Sequence, residues 1–419
     1  MNKIKLLFLV IIGNILEYYD FLLFAHFGYL IVPMYIPYYA EQSHLFALIM
    51  FALPFLIRPI GGYFFGKMAD LTSTKKALDS TLCYASIASI LIAILPSYYY
   101  IGVISTVLFI ILRSLQGFAL GGEYTTAGTL LMDLFSLKKS FVSGILGASG
   151  TIGSIIAFAF SALYSGFFQG TEIWRLFFIF GGVATYISYN LRKHNLSILQ
   201  KISLSKANNS NAIEQIAIYK TVALGAVTSV SCFIPMVYSN FYFTKILGLD
   251  TNIGLTATLI SLVAYITFTP LAGYICDKIN LNNNISKTFI IAIPFVLIGF
   301  LLLWDGSLLG QIPLTMAASI AGTNIHVIMN QMFPLSKRSR NVNLYFATGA
   351  SLGGLVPALS GYISLHYNIL YIPFLAINIL LIINAYLFRN FSSSIFAIQL
   401  NMREQNINFR YQKETKNIF

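Results

Sequence analysis

Apolar residues run through this chain in long blocks separated by short polar connectors. The blocks fall at roughly 6–34, 45–66, 78–96, 101–132, 141–164 and 173–191, then at 218–243, 252–273, 287–304, 307–330, 341–364 and 367–388. Each approaches or exceeds the length a helix needs to cross a bilayer, about 20 residues at a rise of about 1.5 Å each. The pattern predicts helices rather than a porin-like barrel, whose strands would alternate over about ten residues. Twelve spans in two sets of six are expected. The polar stretch between the sets reads as a linker, giving the expected units 1–191, 192–217, 218–388 and a tail, 389–419. Pro235, Pro270, Pro294 and Pro313 fall within or near spans. They are predicted to bend or locally break helices, as a water-lined path tolerates. The first block begins at Leu6 behind Lys3 and Lys5, like a signal peptide. It runs on through Glu17 and Asp20 to about Met34 with no small-residue cleavage site, so a retained first span is predicted.

Composition agrees. Of 419 residues, 57% are hydrophobic and 10% charged. A soluble protein carries about 25% charged residues, so this chain reads as an all-α polytopic membrane protein. The net charge of +12 invites a nucleic-acid partner. The basic residues instead sit in connectors: Lys67, Lys75 and Lys76 after the second block, Lys138 and Lys139 after the fourth, Arg192 and Lys193 after the sixth. Lys278 and Lys287 follow the eighth block, and Lys337, Arg338 and Arg340 the tenth. Connectors on the other side are nearly free of Lys and Arg, with Arg175 and Lys245 the main exceptions. That alternation predicts both termini in the cytoplasm and excludes nucleic acid as the partner. Cys83, Cys232 and Cys276 lie far apart without metal-ligand spacing and are expected as free thiols.

Charges inside the apolar blocks are the candidate chemistry. Arg113 and Glu123 lie ten residues apart in the fourth block, roughly 15 Å along a helix. They are therefore not expected to pair with one another, and each needs a partner elsewhere or a water-filled cavity. Gly117, Gly121, Gly122 and Gly128 between and beyond them let neighbouring helices approach closely. In the first block, Asn14, Glu17 and Phe21 share one broad helical face, and Asp20 lies about 60° from Glu17. Both acids are expected to face one cavity, with Asp20 ranked ahead of Glu17 for proton coupling. Burial disfavours the charged carboxylate, so such a group can take up and release a proton. His26, deeper toward the outer side, is a candidate relay. Arg58, in LIRPIGG, and Arg113 can fix an anion but carry no proton step themselves. Asn324, His326 and Asn330 form a candidate polar wall in the tenth span. The two halves also repeat a spacing, Gly66 with Asp70 and Gly273 with Asp277, each near the cytoplasmic end of the second helix of its half.

At GNILEYYDF (13–21), RPIGGYFFGKMAD (58–70), RSLQGFALGGEY (113–124), FPLSKRSR (333–340) and NLYFATGASLGGLVP (343–357) the chain resembles the metabolite:proton symporter family of the major facilitator superfamily. That group includes proline/betaine, α-ketoglutarate, citrate and shikimate permeases. The resemblance covers nearly all the chain except the tail. It implies a twelve-helix fold in two six-helix halves and alternating access. It places Glu17, Asp20, Arg58, Arg113 and Glu123 in proton coupling and the charge network. Gly66, Asp70, Gly273, Asp277 and Arg338 would form the gating loops, and Asn14, Tyr18, His26, Gln116, Tyr124, Asn324, His326 and Asn330 the substrate path. Departures from the family pattern are Leu71, Ser73 and Thr74 in place of its basic and Gly-Arg run, NLNNNISK in the second-half loop, and Gln331 where a glutamate is usual.

The function expected is import of a small polar metabolite by proton symport across a bacterial inner membrane. The chain would work as a monomer, with the bilayer as its surroundings and no cofactor beyond the coupling proton. The alternative is a proton-independent uniporter or exchanger, which Gln331 and the altered loops favour. Two embedded arginines suit a carboxylate or zwitterion, and an aromatic share of 15% offers a cage for a quaternary ammonium. An enzyme is not expected, because no HExxH, Walker loop or nucleotide-binding glycine run is present. A sensor on the same fold would lack a large soluble domain to pass on its signal.

Overall fold

The structure, a computed structural model, describes residues 3–37, 43–135, 137–195, 214–279, 281, 284–367 and 369–391. Most of the expected linker and nearly all of the expected tail lie outside the described residues. The first half comprises α1 (Lys3–Tyr35), α2 (Ser43–Leu71), α3 (Thr74–Ile94), α4 (Val103–Leu134), α5 (Lys139–Leu163) and α6 (Trp174–Asn195). The second comprises α7 (Gln215–Ile246), α8 (Thr251–Lys278), α9 (Ile285–Trp304), α10 (Leu308–Met332), α11 (Arg338–Tyr367) and α12 (Ile372–Leu387). In hydrocarbon each backbone N–H and C=O must be satisfied within its own segment, which is why apolar runs of this length fold as helices. Ten of the twelve are long and apolar enough to cross a membrane. The remaining two complete each set of six: α6 carries Arg175, Arg192 and Lys193, and α12 is 16 residues long.

The halves pack alike. Within the first, α1 lies against α5, α2 against α4, and α3 against α4 and α6; within the second, α7 lies against α11, α8 against α10, and α9 against α10 and α12. The halves meet where α2 runs along α11 and α5 along α8. Of the four prolines, Pro235 coincides with a switch to π-helical bonding at Ile234–Tyr238. Pro270 and Pro294 lie inside helices assigned without interruption. Pro313 occupies the first turn of Gln311–Gly322, where a missing N–H has little to lose. α10 is interrupted instead between Gly322 and Ile325, at Thr323 and Asn324, with no proline there.

Candidate functional site

At the face bearing the basic connectors, each half caps a helix of the other. Asp70, at the end of α2, accepts the backbone N–H groups of Ser339 (3.0 Å) and Arg340 (2.9 Å) in the first turn of α11. Asp277, at the end of α8, accepts those of Ser140 (3.1 Å) and Phe141 (2.9 Å) in the first turn of α5. A first turn has N–H groups without intrahelical partners and the positive end of the helix dipole, so a carboxylate there satisfies both. Gly66 and Gly273, one turn earlier, make the approach possible. A Cβ on Gly66 would lie 2.6 Å from the Cα of Arg340, and one on Gly273 2.8 Å from the carbonyl carbon of Ser140. Arg338 adds an ion pair across the halves with Asp133 at the end of α4. Gln331 is exposed near this gate, and the carboxylate partner of Arg338 comes from α4 instead of α10.

Above this closed face lies a cavity enclosing about 560 Å³, part of it open to solvent. Its walls include Tyr18 of α1, Arg58 of α2, Tyr124 of α4, Ser154 of α5, Phe233 of α7, Tyr265 of α8 and Phe346 of α11. A second void shares Leu22, Ser154, Phe233 and Met236 with it and reaches His26, Asn240 and Thr258. Those three residues lie farther toward the non-basic ends of α1, α7 and α8, so the cavity extends away from the closed face. Arg58 is the one Asp, Glu, Lys or Arg among the residues lining either void. It is 4% exposed, and its guanidinium lies 5.7 Å from the Phe55 ring centre.

The buried charges of the first half stand behind this wall. Neither acid of α1 lines the cavity, contrary to the shared-cavity expectation. The Asp20 carboxylate accepts the hydroxyls of Ser89 on α3 (3.0 Å) and Thr185 on α6 (3.2 Å), because helical twist turns it into the α1–α3–α6 bundle. Glu17 is buried, and both its carboxyl oxygens have no hydrogen-bond partner among the described residues. Its electrostatic neighbours are Glu123, Arg192, Arg58 and Asp20. Glu123 takes the Thr81 hydroxyl at 2.6 Å and pairs with Arg192 at 2.7 Å, both side chains fully buried.

Arg113 has no carboxylate within ion-pair distance among the described residues. It donates to Gln116 Oε1 at 2.6 Å and lies 3.9 Å over the Phe24 ring and 5.5 Å from that of Phe21. The aromatic faces supply the negative potential that an acid was expected to supply. Gln116 is occupied there, away from the cavity lining. Asn14 bonds Ser149 of α5 at 2.8 Å. His326 is buried against Gly128, its ring centre 4.6 Å from that of Tyr124, with both ring nitrogens unpartnered among the described residues. Asn324 is buried in the α10 interruption, and Asn330 donates to the His326 carbonyl at 2.8 Å. Tyr18, His26 and Tyr124 are thus the path candidates that line the voids.

Arg192 is the residue that sequence reasoning missed. As a connector charge after the sixth block it is expected in water, yet it is fully buried. A signal existed: Gly181, Thr185, Ser188 and Arg192 recur at helical spacing, and all are buried on one side of α6.

Two pseudo-repeated six-helix halves around one central cavity, gated at one face, define a membrane transporter. The family model described as Major Facilitator Superfamily matches residues 21–356, and the chain belongs to that superfamily. Among curated proteins it is 26% identical to the glycine betaine/proline/ectoine/pipecolic acid transporter OusA of Dickeya dadantii, over 86% of this chain and 78% of that one. It is 24% identical to the citrate-proton symporter of Klebsiella pneumoniae, over 83% and 82%. Among solved structures, the proton:xylose symporter XylE bound to 6-bromo-6-deoxy-D-glucose superposes with a TM-score of 0.73 at 13% identity, covering 93% of this chain and 96% of that one. That likeness shows the fold. The protein is a membrane transporter of small metabolites and not an enzyme.

Proposed function

We propose that the protein imports a small zwitterion or monocarboxylate across a bacterial inner membrane by proton symport, with the basic face and both termini in the cytoplasm. The observation that carries the substrate class is Arg58, the single charged side chain of the cavity wall. One guanidinium balances one carboxylate; a tricarboxylate would bring more negative charge than the wall offsets. Tyr18, Tyr124, Tyr265 and Phe346 line the cavity, an aromatic surround suited to a quaternary or secondary ammonium. The named substrates of OusA are of this kind. One chain encloses the whole cavity, which supports a working monomer.

Charge balance supports coupling. Glu17 and Glu123 lie with Arg58 and Arg192, two carboxylates against two guanidiniums. A substrate carboxylate taken by Arg58 therefore leaves one negative charge in excess, and one proton makes the set neutral. Glu17 is where we place it, since Asp20 and Glu123 have donors and Glu17 has none. A substrate carboxylate that engages Arg58 draws it from Glu17, so proton and anion load together. A negative interior favours the inward step when net positive charge moves. The alternative, proton-independent uniport or exchange, draws on the neutral Gln331 and the altered loops.

Proteoliposome uptake of labelled proline, glycine betaine, α-ketoglutarate and citrate, with and without an imposed pH gradient, tests both parts. Accumulation of the first two under an acid-outside gradient is expected. Uptake indifferent to the gradient would favour the alternative, and a preference for citrate would remove the single-carboxylate reading. Within this assay Glu17→Gln is expected to abolish gradient-driven accumulation, while Asp20→Asn retains part of it. The reverse order would return the coupling role to Asp20.

A further inference from the structure

Arg192 stands on α6, a helix that contributes nothing to the cavity lining, yet it ties three helices together. From α6 its Nε donates to the Leu9 carbonyl of α1 at 3.1 Å and its Nη2 to that of Val10 at 2.8 Å. The same Nη2 pairs with Glu123 of α4. The guanidinium occupies a slot made for it. A Cβ on Gly13 would overlap the guanidinium, its Nε only 2.8 Å away. Gly13 and Glu17 are four residues apart on α1, so they share a face with about 5–6 Å between successive side-chain positions. One turn from the slot, therefore, lie two carboxyl oxygens without hydrogen-bond partners among the described residues, and Arg192 Nη1 is itself buried and unpartnered among them.

We propose that Arg192 is a positioning residue for proton coupling, whose guanidinium is shared in turn by Glu123 and Glu17. While Glu17 carries the proton, Glu123 holds the guanidinium. When the Glu17 O–H breaks and its proton passes to water admitted from the basic face, the new carboxylate takes Nη1. Because the same guanidinium holds the Leu9 and Val10 carbonyls, the exchange pulls on α1 relative to α6. The charged groups around this cluster are Asp20 on α1, Arg58 on α2, Lys75 and Asp79 on α3, Glu123 on α4 and Lys193 on α6. On α5, Ser149 meets Asn14 on this stretch of α1 through its hydroxyl. Lys75 is engaged by the Lys193 carbonyl at 2.7 Å and by Asp79 at 3.8 Å. Arg58 lines the cavity, where the symport reading gives it to the substrate, so Arg192 is the cation that Glu123 and Glu17 can share. The proposal rests on the symport reading.

The test uses the full chain in proteoliposomes, with labelled glycine betaine and proline as probes. It compares wild type, Arg192→Lys and the double variant Glu123→Gln/Arg192→Gln. The double variant removes one charge of each sign, so the charge balance around Glu17 stays as it was. If the pair coordinates the proton, accumulation under an imposed pH gradient falls at least about tenfold relative to the variant's own counterflow rate, equivalent to about 1.4 kcal/mol. If the pair is only structural, the ratio equals that of wild type and the proposal is overturned. Should the double variant fail to reach the membrane, Arg192→Lys decides. Its single ammonium keeps the charge but not the two-sided fork, so a displaced pH profile of uptake is expected, and an unchanged profile overturns the proposal. A wild type that ignores the pH gradient is a distinct outcome: symport itself then fails, and this role with it.

Discussion

The two halves share a helix packing plan but divide the buried polar groups unequally. Among the described residues, every buried Asp, Glu, Lys or Arg lies in α1 to α6: Glu17, Asp20, Arg58, Lys75, Arg113, Glu123 and Arg192. The second half buries neutral groups in their place. Gln311, for example, accepts the hydroxyls of Ser239 (3.0 Å) and Ser261 (2.9 Å). Each half contributes one helix cap to the closed face, through Asp70 and Asp277. A near-symmetric scaffold thus carries the proposed opening and closing, while the charges proposed to bind an anion and hold a proton are concentrated on one side of it. Placing them together lets one proton balance several groups, which charges scattered across two moving bodies would not achieve.

That division can be broken at graded cost. Glu123→Ala leaves Arg192 buried without its counter-charge, and a loss of about 3–5 kcal/mol is expected on unfolding in mixed micelles. A loss near that of a surface pair would mean that water reaches the site. Gln311→Ala, its neutral counterpart in the second half, removes the side-chain acceptor of two serine hydroxyls that each also reach a backbone carbonyl, of Ile234 and Ala257. It is expected to cost about 0.5–1.5 kcal/mol. Equal losses at Glu123 and Gln311 would remove the energetic distinction between the halves. Asp70→Ala and Asp277→Ala each delete a helix cap made between the halves at the closed basic face. Each is expected to shift the closed-to-open balance by about 0.5–2 kcal/mol, read as distance distributions between probes on the two halves. A shift from only one of them would show that the gate is less symmetric than its hydrogen bonds. Lys138→Ala, at an exposed connector, is expected to stay within about 0.5 kcal/mol in stability.

Much of the architecture was readable from the chain alone. Span number, the two sets of six and the repeated Gly-x-x-x-Asp spacing follow from residue order, because a bilayer imposes one length and one solution for the backbone. The charged residues embedded in the spans were equally visible, since so few occur. Their partners were not. Glu17 and Asp20 are three residues apart, yet one faces Arg192 and Glu123 and the other Ser89 and Thr185. That choice depends on how α1 is rotated against α3, α4 and α6. Arg113 needed an acid by sequence logic and found aromatic faces, which only packing supplies. Arg192 looked like a connector charge, and the folded bundle buried it in the slot above Gly13. Sequence determines which charges must be compensated in a membrane, because leaving one bare costs several kcal/mol. Which group compensates each is decided by tertiary structure, because the partners come from helices far apart in the chain.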